Sequence, residues 1–112
     1  MTELWTYSAD VESSGVDLTG FDVDATDGHI GKIDENSVTA GDAFIVVDTG
    51  FWIFGKKRMI PARSVKQINV ADRKVFLSLT KDQVKEGPDY DAVRRAEHDY
   101  RDSVTGHYGP MF

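Results

Sequence analysis

The hydrophobic period of this chain changes once, at Thr80, and that change decides what it can fold into. Before Thr80, apolar residues keep the two-residue period of strands. In "GFDVDATDGHIGKID", Phe21, Val23 and Ala25 alternate with Asp22 and Asp24. Asp27 and Gly28 are a predicted hairpin turn, and Ile30 and Ile33 belong to the return strand. Gly31 interrupts that strand and marks a bulge or a close backbone approach. "ENSVTAGD" reads as a polar loop. "AFIVVD" is apolar on both faces and predicts a central strand. "KRMIPARSV" predicts a strand that ends or reaches a sheet edge at Pro61. "VKQINVADRKVFLSLT" predicts a second hairpin turning at Ala71 to Arg73, with Val75, Leu77 and Leu79 on one face and Phe76 on the other.

After Thr80 the period is helical. Thr80 and Gln83 have the spacing of a capping box, and Gly87-Pro88 closes the short helix they begin. Val93, Ala96, Tyr100 and Val104 form a stripe at three- and four-residue spacing, with Gly106 expected to end that helix. A helix of this length is marginal in water, so the stripe is a docking face. The expected fold is therefore mainly β. It is a small, closed or partly closed barrel of about five to six strands with a short helical C-terminal tail. An N-terminal arm covers 1–16, the barrel 17–87 and the tail 88–112, and the end stretches "MTELWTYS" and "HYGPMF" have no period.

Composition narrows the chemistry. The chain has 112 residues and no cysteine, which removes disulfides and thiolate-held metal and is compatible with the cytoplasm. The opening "MTELWTYSADV" lacks the cationic and apolar regions of a secretory leader. The longest apolar run, "AFIVV", is far too short to span a membrane. The net charge of −6 is unevenly spread. Residues 1–50 set eleven acidic residues against Lys32 alone, whereas 51–74 set seven basic residues against Asp72 alone. The preferred reading pairs acidic with basic strands inside one sheet, since the segments are close in sequence. The sharper reading is a basic face for an acidic partner, including another copy.

The segments "DLTGFDVDATDGHIGKIDENS" and "AFIVVDTGFWIFGKKRMIPARSVKQINVADRKVFLSLTKDQVKEGPDYD" carry a resemblance. The Gly20–Lys32 hairpin, the "VVDTG" strand end, the "IPARSV" segment and the "LTKDQVKEGPDYD" exit occur in the order of a stand-alone PRC-barrel domain. The resemblance spans about residues 17–91. It implies a small β-barrel that positions or binds other molecules rather than catalysing a reaction. Such domains occur in the photosynthetic reaction-centre H subunit and in ribosome-maturation factors of the RimM type. This chain has neither the membrane helix of the first nor the preceding domain of the second, so no partner and no functional residue carries over.

No residue pattern points to catalysis, a metal or a cofactor. Asp22, Asp24 and Asp27 do not keep calcium-loop offsets, and the twelfth position is Ile33. His29, His98 and His107 lack helical metal-ligand spacing. There is no nucleophile elbow, no cysteine nucleophile and no phosphate-binding glycine loop. What remains is "GFWIFGKKRMIP", in which Phe51, Trp52, Ile53 and Phe54 precede Lys56, Lys57 and Arg58. Burying those four apolar side chains contributes about 6–12 kcal/mol, comparable to a domain's whole stability of about 5–15 kcal/mol. They should therefore be covered, by the tail or by a partner. The expectation is a homodimer, or another protein partner, meeting Phe51, Trp52, Phe54, Lys56, Lys57 and Arg58, with Val93, Ala96, Tyr100 and Val104 docking the tail. The alternative is an RNA- or ribosome-associated factor using the cations of 56–66 beside stacking rings. The acidic pI of about 4.9 counts against it.

Overall fold

The structure, a computed structural model, describes residues 4–7, 17–37, 43–50, 57–88 and 98–112. Six strands form one sheet: β1 (Asp22–Ala25), β2 (Gly28–Ser37), β3 (Phe44–Asp48), β4 (Lys57–Pro61), β5 (Val65–Asn69) and β6 (Lys74–Leu77). Their order is β4-β3-β2-β1-β6-β5, with β1 parallel to β6 and every other pair antiparallel. Two helices follow, α1 (Lys81–Lys85) and α2 (His98–Tyr108). No described helix is long and apolar enough to cross a membrane.

The sheet has to roll up. β4 and β5 are its opposite edges, yet a single 3-10 turn, Ala62–Ser64, joins them. In a flat sheet those edges would stand five spacings, about 24 Å, apart, whereas three residues reach only about 10 Å. The corner is tied to both ends of the sheet. Ala62 N–H donates to the Ala43 carbonyl at 3.1 Å, and Ser78 N–H donates to the Ser64 carbonyl at 2.9 Å. The roll is not a closed ring, because among the described residues no ladder joins β4 to β5.

The interior follows the expected parity. Val23, Ile30, Ile33, Val75, Leu77 and Leu79 are buried, while Phe76 lies only partly so. In β3, Phe44 to Val47 are all buried, in one core with Tyr100, Val104 and Tyr108 of α2. Pro61 ends β4 at the sheet edge, as the sequence predicts. The capping box is present: Thr80 Oγ1 accepts from Gln83 N–H, and Gln83 Oε1 accepts from Thr80 N–H.

Three local expectations are corrected. The first hairpin turns at Thr26-Asp27, one residue early, because Ala25 pairs with Gly28. Gly28 instead closes the turn at φ +140, a conformation open to glycine. β2 runs on to Ser37, into the expected polar loop, because Ser37 finds a partner in Phe44. Gly106 does not end the tail helix, which continues to Tyr108 because that ring is fully buried in the core.

Candidate functional site

Phe51, Trp52, Phe54 and Lys56 lie outside the described residues, as do Val93 and Ala96. Their frame is described on both sides. Asp48 pairs with Lys57 at the last register of the β3–β4 ladder, so residues 49–56 connect the strands at one end of the sheet. Asp48 Oδ1 accepts from Gly50 N–H at 3.0 Å, and Gly50 has φ +67. This Asx-type turn carries the chain out of β3. Beside it lies an open groove of about 410 Å³ lined by His29, Ile30, Gly31, Lys32, Asp48, Thr49 and Gly50. Gly31 shapes it: a side chain there would run into the Asp48 carbonyl, so only glycine lets β3 close in. That is the close approach expected from the sequence.

The two described cations of the predicted contact differ in role. Lys57 Nζ donates to Asp34 Oδ2 at 2.9 Å, with both side chains 39% exposed. The hydrogen bond to Asp34 holds the Lys57 amine above the usual lysine range, with burial opposing it weakly. Arg58 is only 4% exposed. Its Nε donates to the Val84 carbonyl at 3.2 Å, one terminal nitrogen to the Lys85 carbonyl at 3.1 Å and the other to the Lys57 carbonyl at 3.2 Å. The guanidinium thus holds the C-terminal end of α1, where helix carbonyls lack intrahelical donors. His107 Nε2 donates to the next carbonyl up, Gln83, at 2.7 Å. Tyr108 packs against Gly87, where a Cβ would collide with its phenol. Burial pushes the Tyr108 phenol well above its ordinary value, with Arg58 pulling the other way. β4, α1 and α2 therefore meet at one buried knot, and a partner would not reach the Arg58 guanidinium.

Of the tail stripe, Tyr100 and Val104 lie among the described residues. Both are buried, and Tyr108 extends the stripe by another four residues. Sequence reasoning missed what lies on the other side of that helix. The arm segment Leu4–Tyr7 packs against the core, with the Trp5 indole N–H donating to Thr105 Oγ1 at 3.2 Å. The Arg101 guanidinium carbon stands 4.3 Å from the Trp5 ring centroid and 5.2 Å from that of Phe44. Burial pushes the Tyr7 phenol up to about 12. The available signal was chemical, two aromatic residues in an otherwise acidic terminus, and carried no period.

Two cations of the basic segment, Lys57 and Lys74, pair with aspartates of the acidic half. Lys74 Nζ meets Asp24 at 3.1 Å and Lys32 Nζ meets Asp22 at 3.6 Å, both across strands that pair. His29 Nδ1 also lies 3.2 Å from Asp24. Burial raises the Asp24 carboxyl, but the hydrogen bonds from Lys74 and His29 outweigh it and hold the group below the usual carboxylate range. Asp27 Oδ1 accepts from Lys81 N–H at 2.9 Å and so fixes the start of α1. Each aspartate of the hairpin thus has a structural partner. Among the described residues no three His, Asp or Glu side chains converge as metal ligands would. The chain matches no protein-family model and no curated protein.

Proposed function

We propose that this chain is a non-enzymatic PRC-barrel module for protein–protein interaction or scaffolding, cytoplasmic and self-associating as a homodimer. The contact is centred on Phe51, Trp52 and Phe54, with Lys56 and Lys57 at its rim. The observation that supports this reading is the distribution of apolar mass. Among the described residues only Val70 and Phe112 are large, apolar and exposed, so the described surface offers no other apolar patch. Four large apolar residues then follow Gly50, an exposed lining residue of the open groove, and precede half-buried Lys57 in the sequence. A run of that composition has the make-up of an interface core, with aromatic anchors and a charged rim. A two-fold dimer is the simplest assembly that covers it.

The RNA reading loses support from the same geometry. Of its cations, Lys57 pairs with Asp34 and Arg58 lies inside, which leaves Arg63 and Lys66 as the described remainder. Trp52→Glu tests the interface, because the new carboxylate would be buried between subunits. Light scattering after size exclusion should show a folded monomer where the wild type is a dimer. A wild type that stays monomeric at high concentration overturns the reading, as does a variant that unfolds, which would make the tryptophan core.

A further inference from the structure

The arm segment Leu4–Tyr7 is seated like a ligand. The Leu4 carbonyl accepts from Arg63 N–H at 3.0 Å and the Trp5 carbonyl from Ala43 N–H at 2.8 Å. Arg63 lies in the corner that joins the two edges of the sheet, and the Ala43 carbonyl accepts from Ala62 of the same corner. The indole is held by Thr105 and lies under Arg101, whose other aromatic neighbour is Phe44. Main-chain bonds that read a backbone, plus one aromatic anchor, are how domains recognise short peptides. Charge agrees: residues 1–16 carry Glu3, Asp10 and Glu12 and no cation, whereas the seat carries Arg63 and Arg101.

These contacts join the arm to residues 43–44, 63 and 101–105, far along the chain from the point where it is tethered at Leu18. The same bonds form whichever copy supplies the arm. Ten residues, 8–17, separate Tyr7 from Leu18. They reach at most about 33–36 Å, the length of the molecule's longest dimension, 35 Å. We propose that the seat formed by Ala43, Phe44, Arg63, Arg101 and Thr105 is a peptide-docking site exchangeable between copies. It is filled in cis by the chain's own Leu4–Tyr7 and in trans by the same segment of a second copy, reciprocally. Exchange of an identical element in this way makes a closed two-fold dimer without new contact chemistry. The tether gives the cis arm an effective concentration on the order of millimolar, so exchange grows in at high protein concentration.

The test uses full-length protein and a fluorescein-labelled peptide of residues 1–8. Trp5→Ala weakens the cis competitor and leaves the seat intact, so it should bind the peptide at least ten-fold tighter than wild type, by anisotropy. A peptide carrying the same substitution should bind neither protein. By sedimentation equilibrium, Trp52→Glu, which lacks the contact proposed at Phe51 to Phe54, should still gain mass at high concentration, and a variant carrying both Trp52→Glu and Trp5→Ala should not. Where Trp5→Ala fails to fold, Trp5→Phe keeps the ring and removes the bond to Thr105, and a roughly three-fold gain is expected. A folded variant with no gain in peptide binding overturns the proposal. So does a double variant that gains mass with concentration as Trp52→Glu does. A wild type that stays monomeric at moderate concentration, with peptide binding to Trp5→Ala retained, would remove the contact at Phe51 to Phe54 and leave this one standing.

Discussion

Replacing Arg58 with Met tests whether the buried knot holds the fold together. The substitution keeps most of the stem and removes every donor. Val84 keeps another donor for its carbonyl, the Gly87 N–H at 3.1 Å. The carbonyls of Lys85 and Lys57 lose the guanidinium. An acceptor left without its partner costs about 1–3 kcal/mol where it is buried, and both of these bonds are part-buried, so the two together cost about 2 kcal/mol. Set against a total of about 5–15 kcal/mol, that is a sizeable share of the stability. At this chain length it lowers Tm by roughly 8 °C. Urea unfolding followed by circular dichroism, with a thermal melt beside it, reads both quantities. Arg58→Lys should lose about half as much, because one ammonium cannot span two carbonyls as the planar fork does. A buried cation replaced by an apolar side chain is often neutral when its partner was another charge. Here the partners are backbone carbonyls that remain. If Arg58→Met stays within about 1 kcal/mol of wild type, those carbonyls find other donors and the guanidinium does not hold α1.

Gly106→Ala should stabilise the chain by about 0.5–1 kcal/mol, since the helix passes through Gly106 and nothing lies within 4 Å of a Cβ there. A loss in the same urea titration would mean that the helix stops at Gly106. Gly31→Ala should do the opposite and cost at least about 2 kcal/mol, because its methyl meets the Asp48 backbone rather than a movable side chain. The Asp24 carboxyl lies below its unfolded value, so its contribution is present above pH of about 4 and is lost as pH falls through the folded value. Asp24→Asn should therefore flatten the acid limb of stability against pH, and an unchanged slope would refute the role of Lys74 and His29. Tyr7 has the reverse sign. With its folded phenol pushed up to about 12, its share is complete below about pH 10 and is lost as pH rises through the folded value. Tyr7→Phe should flatten the alkaline limb.

Much of the fold was legible because strand parity and capping are local signals. Phe21, Val23 and Ala25, or Thr80 and Gln83, state their roles within a few residues. Gly106 misled because a glycine after an apolar stripe resembles a helix stop. Burial of Tyr108, a tertiary event, outweighs the cost of glycine inside a helix. Arg58 was readable in part. Strand parity sets it on the face opposite Lys57, and the run of three basic residues concealed that. The seat of Trp5 was not readable at all. Its indole and Thr105 are 100 residues apart, and neither carries a pattern that names the other.

The edges of the sheet restrict how such a chain can associate. An uncovered edge strand invites another strand to add to it. β4 is buried from Arg58 to Pro61, with α1 held to it through Arg58, and the corner just beyond it takes the Leu4 carbonyl. A strand could pair with β4 only after these are displaced. β5 is the other edge. Its pairing with β6 shifts between Val65 and Gln67, so that exposed Lys66 has no register partner. A bulge and a lysine on an edge are both devices that turn a second strand away. With one edge covered and the other blunted, a second copy must be met through side chains or through an exchanged terminus. The two proposed contacts are of those kinds, and either one leaves the six-stranded ladder intact.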